Sequence, residues 1–92
     1  MEITGQVKAI MPIKETDKFR SIEFVLTDNS TPQYPQHIPM QVCQGKCDLM
    51  NGINIGDTLT VSVNLKGREW QSPNEGVKYF LSLDAWKINK NN

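Results

Sequence analysis

One alternating run constrains this chain more than any other feature. In "TLTVSVNLKGREW", residues 58–70, Leu59, Val61, Val63 and Leu65 share one side of an extended backbone. Thr60, Ser62, Asn64, Lys66, Arg68 and Trp70 share the other. A period of two belongs to a strand with one face buried, because a helix would scatter these side chains around its circumference. The polar turn "QSPNEG" follows, and "VKYFLSLDAWKI" returns with Val77, Tyr79, Leu81, Leu83 and Ala85 as its expected inner set.

The same period recurs earlier. "EITGQVKAI" sets Ile3, Gly5, Val7 and Ala9 against Glu2, Thr4, Gln6 and Lys8. Gly5 inside that strand predicts a bend or a close backbone approach. Ile10 and Met11 break the parity ahead of Pro12, which predicts a bulge or the strand's end. "FRSIEFVLTD" places Ile22, Phe24 and Leu26 on one face, and "NSTPQYPQ" is a loop. "HIPMQVCQ" makes a short third strand whose Pro39 suits an edge or a bulge. "GKCDLMNGI" is the one candidate helix, two turns at most, with Leu49, Met50 and Ile53 facing inward and Gly52 ending it.

Five strands with a short helix between the third and fourth predict an all-β chain, a five-stranded OB-fold barrel. Another small antiparallel barrel, or a sheet carrying one helix, is the alternative. At 92 residues the chain fits one domain, expected over residues 1–89 with a polar tail at 90–92. A core this small would gain from oligomerisation.

Charge and cysteine content narrow the function. Ten basic and ten acidic residues give a net charge of zero. That argues against coating nucleic acid by bulk electrostatics but leaves room for a local basic patch. Two cysteines, Cys43 and Cys47, are too few for a disulfide framework. With His37 they supply only three soft ligands where a structural zinc site needs four, so no metal is expected. A single histidine, no Gly-rich phosphate loop and no nucleophile motif make an enzyme unexpected, and no cofactor is implied. "NST" at 29–31 matches a glycosylation sequon but reads as a polar turn. "MEITGQVKAI" lacks the basic start and apolar run of a secretory leader, and no segment approaches the ~20 apolar residues of a membrane span. A cytoplasmic location is expected, with no membrane partner.

"IGDTLTVSVNLKGREWQSPNEGVKYFLSLDAWKI" resembles the last third of bacterial single-stranded DNA-binding proteins. There a Gly-polar turn leads into an alternating strand, a basic-aromatic hairpin tip and a final strand. Over nearly its full length, through "YPQHIPMQVCQGK" and "NIGDTLTVSVNLKGREW", the chain also resembles a small single-OB family of Bacteroidetes and their phages. The resemblance to the DNA-binding proteins implies that Arg68 and Trp70 occupy the positions of a basic residue and a stacking tryptophan. It also implies departures. Those proteins carry a long tail ending in acidic residues, whereas this sequence ends at Asn92. The stacking aromatics expected on the second and third strands are not evident: Phe19 and His37 lie near strand ends, and Tyr34 in the preceding loop.

Single-strand binding needs aromatic faces for bases and cations for phosphates. Strand parity gathers Lys66, Arg68, Trp70, Lys78 and Phe80 on one face of the last hairpin. Trp70 and Phe80 would otherwise cover the barrel end or a dimer contact. Lys18 and Arg20, with Lys14, flank the same groove, although Glu15 and Asp17 stand among them and a solvated mixed loop is the plainer reading. Tyr34 is a further candidate stacker or a loop anchor, and Trp86 a packing residue. The expected function is sequence-tolerant, salt-sensitive binding of single-stranded DNA in replication, recombination or repair, as a homo-oligomer, dimer or tetramer. The alternative is an OB-fold accessory subunit that binds protein and not nucleic acid.

Overall fold

Five strands curl into one closed sheet in this computed structural model, which describes residues 1–91. β1 (Glu2–Ile10) pairs antiparallel with β2 (Arg20–Asp28) through its C-terminal half and with β4 (Thr58–Ser72) through its N-terminal half. β2 pairs with β3 (Gln36–Cys43), and β4 with β5 (Gly76–Lys90). One parallel pair, Gln41 with Asp84, joins β3 to β5 and closes the ring. A two-residue extension, Lys14–Glu15, lies against Ser21 and Arg20. This connectivity is that of the OB-fold. The helix falls where the sequence places it, but over Gln44–Met50 it is wound as a 3₁₀ helix. Seven residues is a long run for that winding, and no side chain caps its start. No helix among the described residues is long and apolar enough to cross a membrane.

The core is the sum of the inward rows. Val7, Phe24, Leu26, Met40, Val42, Leu59, Val61, Val63 and Ala85 are buried, and Cys47 and Met50 of the helix join them. Burying each of the larger side chains is worth about 1.5–3 kcal/mol. Gly5 answers its expectation directly: a Cβ there would stand 2.6 Å from the Thr27 carbonyl oxygen. The strands β1 and β2 approach too closely for any side chain. The irregularity in β1 falls between Val7 and Ala9, slightly before the Ile10–Met11 break in parity. The register of β4 and β5 also shifts, at Ser62 and Val63, leaving Trp86 as the additional residue on β5.

The buried row ends sooner than the alternation predicts. Leu65 is 53% exposed, and Val77, Tyr79 and Leu81 are exposed as well. Of the expected inner set on β5, only Ala85 is buried, with Leu83 packed partly against the core. The cause is length. β4 and β5 each run 15 residues, whereas β1, β2 and β3 run eight or nine. Beyond the seam at Gln41 and Asp84 the last two strands continue as an arm with alternation intact and, among the described residues, no third strand paired to them. The radius of gyration, 14.6 Å, exceeds the roughly 12 Å of a compact chain this long. At the other end the strand takes in part of the expected polar tail. Lys90 is the last residue of β5, Asn91 donates its backbone N–H to the Thr58 carbonyl, and Asn92 lies outside the described residues.

Candidate functional site

The projecting arm has two unlike faces. Ser72 pairs with Gly76, so three residues make the turn, and Gly76 takes φ +80°, which glycine adopts without strain. That turn fixes the register. Lys66 lies opposite Ser82, Arg68 opposite Phe80, and Trp70 opposite Lys78, all on one face. Leu65–Leu83, Gly67–Leu81, Glu69–Tyr79 and Gln71–Val77 make up the other. The first face is cationic and aromatic, the second mostly apolar.

The cationic-aromatic face forms one wall of an open groove. Phe19, from the loop between β1 and β2, lines it together with Gln41, Arg68, Glu69, Trp70, Phe80 and Ser82. Phe19, Trp70 and Phe80 are 45%, 52% and 55% exposed, so each offers ring surface to solvent. Strand parity locates the two arm residues. Phe19 is held by contacts distant in sequence. Its carbonyl accepts the Thr16 backbone N–H at 2.8 Å. The Gln44 side chain then brackets it, donating to the Lys18 carbonyl at 3.1 Å and accepting the Arg20 N–H at 3.4 Å. Gln44 has φ 54°, a left-handed conformation that costs a non-glycine residue about 1 kcal/mol or more. Nothing in the sequence flags Gln44, since its role depends on the start of the helix meeting a loop 24 residues earlier.

The cations of the site have company. Lys66 Nζ stands 2.7 Å from Asp84 Oδ2, and Gln41 Nε2 donates to Asp84 Oδ1 at 2.8 Å. Burial alone would raise the Asp84 carboxyl, but hydrogen bonds from Lys66 and Gln41, with the charges of Lys66 and Arg68, hold it below its ordinary value. Lys78 pairs with Glu75 in the turn, and Lys14 lies 3.9 Å from Glu23. Arg20 donates through Nη2 to the Gln44 carbonyl at 3.4 Å. Among the described residues, Arg68 and Lys18 are the candidate phosphate contacts whose side chains make neither a close ion pair nor a hydrogen bond, although the Arg68 charge acts on Asp84 from further away.

The other candidates lie elsewhere. Tyr34, 70% exposed, sits in the β2–β3 loop, away from the groove's lining. Trp86 occupies the β5 irregularity and is half exposed. His37 Nδ1 is 2.9 Å from Thr27 Oγ1 across β2 and β3, and the Cys47 thiol is buried against the Val42 carbonyl. Burial first, then the nearby Asp84 carboxylate, pushes the Cys43 thiol up, which disfavours a reactive thiolate. Among the described residues, no three His, Cys, Asp or Glu side chains gather as a metal site would require.

Comparison with known proteins gives the fold its relatives. The profile of a family described as "Domain of unknown function (DUF3127)" matches residues 2–89. No curated protein matches the sequence. Among solved structures, the chain is similar to the mitochondrial single-stranded DNA binding protein Rim1 of S. cerevisiae, with TM-score 0.75 and 15% identity over 98% of this chain and 91% of that one. It is similar to the dimeric N-terminal domain of PriB from Thermoanaerobacter tencongensis, with TM-score 0.69 and 18% identity over 100% and 94%. It is also similar to Plasmodium falciparum SSB in complex with ssDNA, with TM-score 0.68 and 17% identity over 100% and 93%. At these identities the likeness is one of fold.

Proposed function

The chain belongs to the DUF3127 family and folds as an OB barrel, and on that premise we propose that it binds single-stranded DNA with little regard to sequence. One observation carries this reading: Phe19, Trp70 and Phe80 present ring surface around Arg68 in a single open groove. Exposing ring surface to water is unfavourable, and each base stacked on it is worth about 1–3 kcal/mol, whichever base it is. A duplex keeps its bases stacked inside and cannot use them. Rim1 and the Plasmodium protein, whose folds are similar, are named for single-strand binding, which supports the same use here. A role in DNA replication, recombination or repair follows from that chemistry.

The opposite face of the arm supports assembly into a homo-oligomer. Leu65, Val77, Tyr79 and Leu81 are exposed on a two-stranded ribbon, which is marginal in water without a further layer. Gly67 lines a shallow notch with Tyr79, Phe80 and Leu81. A second copy offers both the leucine to fill that notch and an apolar row of its own. A chain of zero net charge does not repel its copy. The same apolar row is what favours the second reading, a protein-binding accessory module.

Titration with a dT oligomer, followed by tryptophan fluorescence, separates the two. Binding quenches the emission, and Trp70→Ala removes most of the quenching and weakens affinity. Quenching retained in Trp70→Ala would shift the reporter to Trp86 and sink the arm as the site. No quenching at low salt with micromolar oligonucleotide would favour the protein-binding reading.

A further inference from the structure

We infer that the lysines flanking the groove are neutralised by nearby carboxylates, so that it grips a strand chiefly by its bases and contacts only two phosphates, through Arg68 in its lining and Lys18 next to Phe19 in the chain. The inference rests on the single-strand reading and specifies its chemistry. The segments that build the groove carry no surplus charge. Residues 14–23 hold three cations and three carboxylates, and residues 65–84 hold three of each.

Geometry turns that balance into pairing. The Lys66 ammonium at 2.7 Å from Asp84 is the firmest case. Asp84 is 18% exposed and sits at the parallel seam, where Gln41 donates to its other oxygen. A phosphate drawing Lys66 away would leave a largely buried carboxylate with one donor fewer, and would approach that carboxylate's charge as well. Lys78 and Glu75 pair within the turn, both well exposed, so their tie is weaker. Even a loosened Glu75 repels a phosphate that Lys78 would attract. Lys14 stands near Glu23 in the same manner. Arg20 is spent on the Gln44 carbonyl.

Recognition therefore runs through rings before charges. The fitting ligand exposes unstacked bases and brings few phosphates into close contact. Polyanions without accessible bases, duplex DNA included, gain little from this groove. Asp84 and Glu75 act as specificity-determining residues that hold Lys66 and Lys78 away from the backbone of the strand.

Salt dependence tests this directly. For single strands, the logarithm of the binding constant falls with the logarithm of salt concentration by about 0.7 per phosphate neutralised. Two contacts predict a loss of roughly sevenfold in affinity for a dT 20-mer between 50 and 200 mM salt, whereas four or more predict roughly fiftyfold or greater. Asp84→Asn frees Lys66 and should tighten binding at 50 mM while adding about 2.6-fold to the salt loss. Glu75→Gln should act in the same direction from the turn, outside the barrel, where folding is not at risk. A wild-type loss beyond about twentyfold overturns the inference, as does an unchanged salt loss in both variants. Failure of the 20-mer to bind at 50 mM salt overturns the single-strand reading itself and this inference with it.

Discussion

Lys66 Nζ lies 2.7 Å from Asp84 Oδ2, and Asp84 is the β5 residue that meets Gln41 at the seam closing the barrel. One carboxylate thus ties a candidate ligand contact to the fold. Its pKa is held low in the folded chain, so the linkage has a definite sign. Stabilisation from the pair is fully present above the ordinary aspartate pKa, near 4, and is lost as pH falls from there through the lower folded value. Urea midpoints between pH 7 and pH 2.5 should fall more steeply for the wild type than for Asp84→Asn. At pH 7 the variant should be less stable by about 1–3 kcal/mol. Parallel curves would mean that the pair does not contribute.

Gly5→Ala tests the closeness of β1 and β2. The added methyl would sit 2.6 Å from the Thr27 carbonyl oxygen, a backbone atom that cannot swing aside. Overpacking of this kind costs about 1–3 kcal/mol. For a domain of this size each kcal/mol lowers Tm by roughly 4–8 °C. A thermal melt with unchanged Tm would show that the strands separate freely there.

Leu59 and Leu65 share one row in the sequence and part company in the structure, at 0% and 53% exposed. Leu59→Ala should cost about 2–5 kcal/mol in chemical denaturation, and Leu65→Ala within roughly 0.5 kcal/mol of nothing for the isolated chain. Equal losses would put the arm back in the core.

That contrast marks what the sequence could and could not disclose. Alternation is a property of one strand, so it placed Lys66, Arg68 and Trp70 on a common face and marked the strands, while their number and the position of the helix pointed to the barrel. Whether a row is covered depends on where neighbouring strands end, and the eight or nine residues of β1 to β3 leave Leu65 and Leu81 exposed. Phe19 was visible as an aromatic near a strand end, but its hold by Gln44 is not encoded in any local period. The pairing of Lys66 with Asp84 is equally non-local, since the two residues are 18 apart and on different strands.

Assembly through the apolar face of the arm is tested by Leu81→Glu. Leu81 is 71% exposed and Glu69 already stands on that face, so the new carboxylate adds both desolvation and repulsion. Sedimentation should show an oligomer for the wild type at tens of micromolar and a monomer for Leu81→Glu, with far-UV circular dichroism unchanged. A wild type that stays monomeric at those concentrations would remove the second copy from this face.

Gln44 positions Phe19 through two backbone contacts, and a double-mutant cycle isolates that role. Gln44→Gly is the informative substitution, because glycine keeps the φ of 54° without strain and only the side-chain bracket is lost. On the single-strand reading, Phe19→Ala should weaken dT binding by one stacked base, roughly 5- to 150-fold. Gln44→Gly should weaken it less, since the Thr16–Phe19 bond remains. The Gln44 substitution should then matter little once Phe19 is already alanine, because its effect passes through that ring. Fully additive losses would mean that Gln44 acts elsewhere. A loss for Gln44→Gly with none for Phe19→Ala would take the ring out of the site and leave the arm to bind alone.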